Sequence, residues 1–106
     1  MIKFATGGAA LTPAGAAVLD EIVPLLNRAA GAKVQIVGHT DNTGNASFNE
    51  QLSVRRAETV RGELVRRGIG VDRLSTAGFG GDRPIADNGT AEGRQRNRRI
   101  EFVLGA

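Results

Sequence analysis

Residues 38–60 read GHTDNTGNASFNEQLSVRRAETV, and they set a strand end against a helix start with a polar junction between. The segment before them, KVQIVGHT (33–40), is rich in β-branched residues and places Val34, Ile36 and Gly38 on one face at a period of two. The loop DNTGNAS (41–47) follows, and a helix is predicted from about Asn49 to Arg67, closed by Gly68. At about 100° per residue, Leu52, Ala57, Val60 and Leu64 share a sector of roughly 140°. Arg56 falls inside that sector, one turn from Leu52 and Val60, whereas Arg55 falls outside it.

Working outward, IKFA (2–5) predicts a short strand and TGGAAL a flexible turn. Thr12 and Pro13 mark the start of a first helix, Thr as N-cap and Pro in the first turn. Ala16, Leu19, Ile22, Val23, Leu26 and Ala29 recur at helical spacing until Gly31 ends the run. Pro24 interrupts that helix at a nominal cost of about 3 kcal/mol and predicts a kink. Beyond the second helix, VDRLSTAGFG (71–80) predicts a strand and residues 81–93 a long loop with one helical turn. RRIEFVL (98–104) then predicts a last strand alternating Ile100, Phe102 and Leu104. The order β-α-β-α-β-β implies an α/β (α+β) two-layer sandwich, two main helices packed on one face of a mixed four-stranded sheet.

A chain of 106 residues is long enough for one hydrophobic core and too short for two. With no Trp, no Tyr and four Phe, that core is aliphatic. Without cysteine, disulfides, zinc–thiolate sites and thiol catalysis are excluded. No run approaches the roughly 18 apolar residues of a membrane span, and MIKFATGG lacks the apolar region of a signal peptide. Because Met1 leads straight into strand-like residues, residues 1–106 are expected to be a single domain cut from a longer protein.

Fourteen Lys+Arg against eleven Asp+Glu leave a formal charge of +3, too small to demand nucleic acid. Twelve of those bases are Arg, whose fork suits planar carboxylate or phosphate better than Lys does. Arg94, Arg96, Arg98 and Arg99 have almost no aromatic neighbours to stack bases on, so they do not form a nucleic-acid patch. Arg98 shares parity with Ile100 and Phe102, which predicts a partnered arginine at the mouth of the core. His39 stands alone without a second metal ligand, Ser47 and Ser53 lack an elbow motif, and GFGGD (78–82) lacks the Lys-Ser/Thr of a phosphate loop.

Asp41 at the carboxyl end of a strand and Arg56 at the edge of an apolar stripe are candidates to line one cleft. A salt bridge between the two is the equal alternative, and spacing alone leaves both open. Asn49 is expected as the helix N-cap and Gly44 as a turn residue.

The blocks GHTDNTG, N..LSVRRAETV, GFGGDRPIADN and GRQRNRRIEF, in order from Phe4 to Leu104, closely resemble the OmpA-like C-terminal domain. That domain is shared by porin-type outer-membrane proteins, the peptidoglycan-associated lipoprotein and flagellar stator subunits. The resemblance implies non-covalent, non-catalytic binding of peptidoglycan through the diaminopimelate of its stem peptide, with no cofactor, no metal and no direct membrane insertion. It implies that Asp41 takes the ligand's ammonium and Arg56 its carboxylate, that Asn49 and Thr43 line the pocket, and that Arg98 supports it or touches the ligand. It places the domain in the periplasm or cell envelope, tethered through other parts of the protein. The loop ATGG (5–8) departs from the family pattern, where a polar residue often stands near Gly7, so a side-chain contact is replaced at most by backbone. That departure keeps open a structural or assembly domain that has lost its ligand.

Overall fold

The computed structural model describes residues 2–105. In chain order the elements are α1 (Pro13–Arg28), β1 (Lys33–His39), α2 (Ala46–Arg66), a 3-10 turn (Val71–Arg73), β2 (Leu74–Gly78), α3 (Ala91–Asn97) and β3 (Arg99–Gly105). The sheet has three strands among the described residues, ordered β2-β1-β3, with β1 parallel to β2 and antiparallel to β3. This corrects the expected four-stranded sheet and its order. Residues 2–5 add no strand; they contribute only an isolated bridge between Phe4 and Leu11. The reason is local: the Ala5 N–H donates to the Ala10 carbonyl, so the segment folds back on itself.

Helix α1 begins as its cap residues dictate, the Thr12 side chain accepting from the Gly15 N–H at 3.1 Å. Pro24 is accommodated within one helix. It lies on the exposed face, as does Asp20, whose carbonyl loses its usual donor, so water can take the place of the missing bond. Helix α2 starts three residues earlier than the sequence predicts, because Asn45 rather than Asn49 is its N-cap and accepts from the Phe48 N–H at 2.9 Å. Leu19 and Leu26 of α1 share one core with Ala57, Val60 and Leu64 of α2, Val34 and Ile36 of β1 and Leu74 of β2. Ile100 and Phe102 pack against this core, but Leu104 is exposed, so the alternation of β3 is buried only in its first half.

The carboxyl ends of β1 and β2 lie hard against α2. A Cβ at Gly38 would overlap the Ser53 carbonyl, and one at Gly78 would meet Ser53 Oγ and the Val54 backbone. Ser53 itself is fully buried; its hydroxyl donates to the Glu50 carbonyl at 2.7 Å and accepts from the Gly80 N–H at 3.0 Å. The ladder then continues past the strands, Phe79 N–H to the Gly38 carbonyl and Thr40 N–H to the Gly80 carbonyl. A methyl at position 38 must displace helix backbone, and such overpacking costs about 1–3 kcal/mol or more. Gly38→Ala is therefore expected to lower the unfolding free energy by that amount, read as a lower urea midpoint at unchanged slope, and an unchanged midpoint would show that the approach of helix to strand is not tight.

Candidate functional site

The polar junction read from the sequence becomes a folded loop with defined bonds. Asp41 is buried directly after β1, and its Oδ1 accepts from the Thr43 N–H at 2.8 Å. Gly44 takes a left-handed φ of 82°, which a side chain would strain. Asn49 is buried and donates from Nδ2 to the Thr43 carbonyl at 2.8 Å. Asn49 therefore holds the loop from inside the helix, which is a different job from the capping expected of it. Thr43 takes part through its backbone, and its side chain is exposed.

Arg98 Nη1 donates to Asp41 Oδ2 at 2.5 Å, closing an ion pair between residues 57 apart in sequence. The expected alternative, a salt bridge from Asp41 to Arg56, is thus replaced by one to Arg98. Arg98 is the C-cap of α3 and precedes β3, so the strand parity assigned to it does not apply. What places it is Asn97, fully buried just before it. The Asn97 Oδ1 accepts from the Ile85 and Ala86 N–H groups, and its Nδ2 donates to the Ala86 carbonyl and to Asn88 Oδ1. All of its bonding capacity is used, and the long loop after β2 is fastened to α3.

Beside this ion pair opens a cavity of about 430 Å³. Phe4, Thr6 and Gly7 form one wall, and Arg56, Arg98, Arg99 and His39 face them. Arg56 is half-buried; its Nε donates to the Gly8 carbonyl at 2.8 Å, and its guanidinium lies 5.0 Å from the Phe4 ring centroid. It has no carboxylate within ion-pair distance among the described residues. Burial lowers its basicity, as does Arg98, while Asp41 acts the other way. Arg55, one residue away, is exposed and lies outside the cavity, over the Phe48 ring.

Burial pushes the Asp41 carboxyl up, but the bonds from the Thr43 N–H and Arg98 outweigh it and hold the group below its ordinary value. His39 is driven the other way from a cation: burial first, then Arg99, lower its pKa against the opposing pull of Glu101. Its Nε2 lies 3.1 Å from Glu101 Oε1, its ring stacks on Phe79, and its buried Nδ1 has no partner. Among the described residues no group of three or more His, Cys, Asp or Glu is placed to hold a metal.

Of the residues proposed from sequence, Arg56 and Arg98 line the cavity, Asp41 is tied to it through Arg98, and Thr43 and Asn49 brace the loop behind. Lys3, Gln95 and Arg99 also line it, and sequence reasoning passed over all three. Arg99 adjoins Arg98 and Gln95 lies three residues before it in the arginine-rich run, which was the available signal; Lys3 carried none.

The OmpA family model matches residues 3–98. The chain is 44% identical over 103 residues to the peptidoglycan-binding protein ArfA of Mycobacterium tuberculosis, covering 97% of this chain and 32% of that protein. It spans about a third of the length of that relative. The cell wall anchor of the T6SS from Pseudomonas aeruginosa superposes with a TM-score of 0.82 at 32% identity, over 93% of this chain and 71% of that one. The peptidoglycan-associated lipoprotein from Burkholderia pseudomallei superposes with a TM-score of 0.85 at 25% identity, over 97% and 87% of the two chains.

Acidification tests the ionisation states. Below about pH 6.5 the unfolded chain protonates His39 while the folded chain resists, so stability falls as pH drops toward the lowered folded value and then levels. Asp41 contributes stability that is present above its unfolded pKa of about 3.9 and is lost as pH falls through its lower folded value. His39→Gln is expected to flatten the fall of the urea midpoint below about pH 6.5 relative to wild type; parallel curves would mean that His39 does not carry that slope.

Proposed function

The chain belongs to the OmpA family, and on that premise we propose that it is a non-catalytic module that holds peptidoglycan through the diaminopimelate of the stem peptide. The observation that carries this reading is Arg56: a half-buried guanidinium, without a carboxylate partner, facing a cavity beside an ionised Asp41. A charge in that setting is costly until a ligand anion meets it. The zwitterionic end of diaminopimelate supplies the complement, its carboxylate to the Arg56 fork and its ammonium to Asp41. Asp41 has lone pairs beyond its two bonds, so it can accept the ammonium while keeping Arg98. Thr43 and Asn49 serve by holding Asp41 in place.

The relatives named for peptidoglycan binding and for cell-wall anchoring support the same reading, and with it a place in the cell envelope. In that setting the domain anchors a larger protein to the wall. The Asp41–Arg98 pair favours one other reading, a scaffolding domain whose junction is closed on itself.

Co-sedimentation with isolated diaminopimelate-type peptidoglycan separates the two, with lysine-type peptidoglycan alongside and folding confirmed by circular dichroism. The wild type is expected to pellet with the diaminopimelate wall only. Removing one member of a desolvated charge pair costs about 2–5 kcal/mol, so Asp41→Ala and Arg56→Ala should nearly abolish pelleting while Arg55→Ala leaves it intact. A folded wild type that stays in the supernatant would favour the scaffold, and equal loss from all three variants would point to diffuse attraction.

A further inference from the structure

The cavity wall holds four cations, Lys3, Arg56, Arg98 and Arg99, and no carboxylate. Two are neutralised from behind: Arg98 by Asp41, and Arg99, whose Nε donates to Glu101 Oε2 at 2.7 Å. Arg56 and Lys3 are left, the Lys3 ammonium having no ion pair and no hydrogen bond among the described residues. A ligand that brings a single carboxylate meets only one of them.

Lys3 is held on a fixed backbone. Its carbonyl accepts from both the N–H and the hydroxyl of Thr12, each at 3.1 Å. Gly15 lies so close that a Cβ there would overlap the Lys3 carbonyl. The N-cap of α1 thus pins residue 3, an exposed residue of the cavity lining.

We propose that Lys3 is a specificity-determining residue that reads a second carboxylate of the ligand, distinct from the one facing Arg56. Resting on the peptidoglycan reading above, that group is a carboxylate of the stem peptide outside the zwitterionic end of the diaminopimelate. Lys3 adds selectivity for stems in which this group is free over stems in which it is amidated.

The test uses the tripeptide L-Ala-γ-D-Glu-meso-diaminopimelate and the same peptide with every carboxylate outside the zwitterionic end amidated, titrated calorimetrically. Wild type is expected to bind the free form about fivefold tighter, the scale of a partly exposed charge pair. Lys3→Gln should bind both forms as weakly as wild type binds the amidated one, Lys3→Arg should keep the preference, and Arg55→Gln should leave it untouched. Binding of both forms with equal affinity by wild type, a preference that survives in Lys3→Gln, or the same loss from Arg55→Gln would overturn the role of Lys3 alone. Failure of both peptides to bind would overturn the peptidoglycan reading and this inference with it.

Discussion

The contact on which the structure turns is the seating of α2 on the ends of β1 and β2. Gly38 and Gly78 are without side chains where the helix backbone passes, and Ser53 fills the space between them with a hydroxyl bonded both within the helix and to the loop beyond β2. A buried hydroxyl with both bonds made is neutral to stability or better, and unmade it is expensive. This contact fixes how far Asp41, at the end of β1, lies from Arg56 on α2. A slightly raised helix would separate the two sides of the cavity and leave Asn49 too far to brace the loop.

The elements with strong periodicity were legible in the chain: α1 with its Thr12 cap, β1, α2 and the inequality of Arg55 and Arg56. So was the presence of a polar site at the strand-to-helix junction. What the sequence hid follows from bonds between distant residues. The N-terminal segment reads as a strand, yet its backbone turns back on Ala10 and never joins the ladder. Asn49 resembled a cap because Asn is good at both tasks, and only the backbone geometry assigns the cap to Asn45. The pairing of Asp41 with Arg98 was not legible, because Arg98 comes from a segment 57 residues away, placed by a helix of seven residues too short and polar to announce itself.

Arginine is used here as a structural reagent as much as a charge. Arg98 neutralises Asp41, Arg99 bonds Glu101 and the carbonyls of Asn97 and Arg83, and Arg83 lies 3.6 Å over the Phe79 ring that stacks on His39. Arg99 alone spends three donors in this way, from Nε, Nη1 and Nη2. Among the arginines of the cavity Arg56 stands apart, since its neighbours are an aromatic face and one backbone carbonyl whereas Arg98 and Arg99 each pair with an acid.

Arg73 shows the same habit far from the cavity. From the turn before β2 it donates to the carbonyls of Leu26, Ala29 and Ala32. Leu26 and Ala29 lie in the last turn and at the C-cap of α1, where carbonyls lack intrahelical donors, and Ala32 lies in the turn that leads into β1. The end of the first helix is thereby stitched to a point more than forty residues later in the chain. A helix terminus ordinarily frays alone, but this one can open only by breaking three bonds that also locate β2. The two halves of the domain are thus obliged to unfold together, and the cooperativity of so small a core rests in part on one side chain.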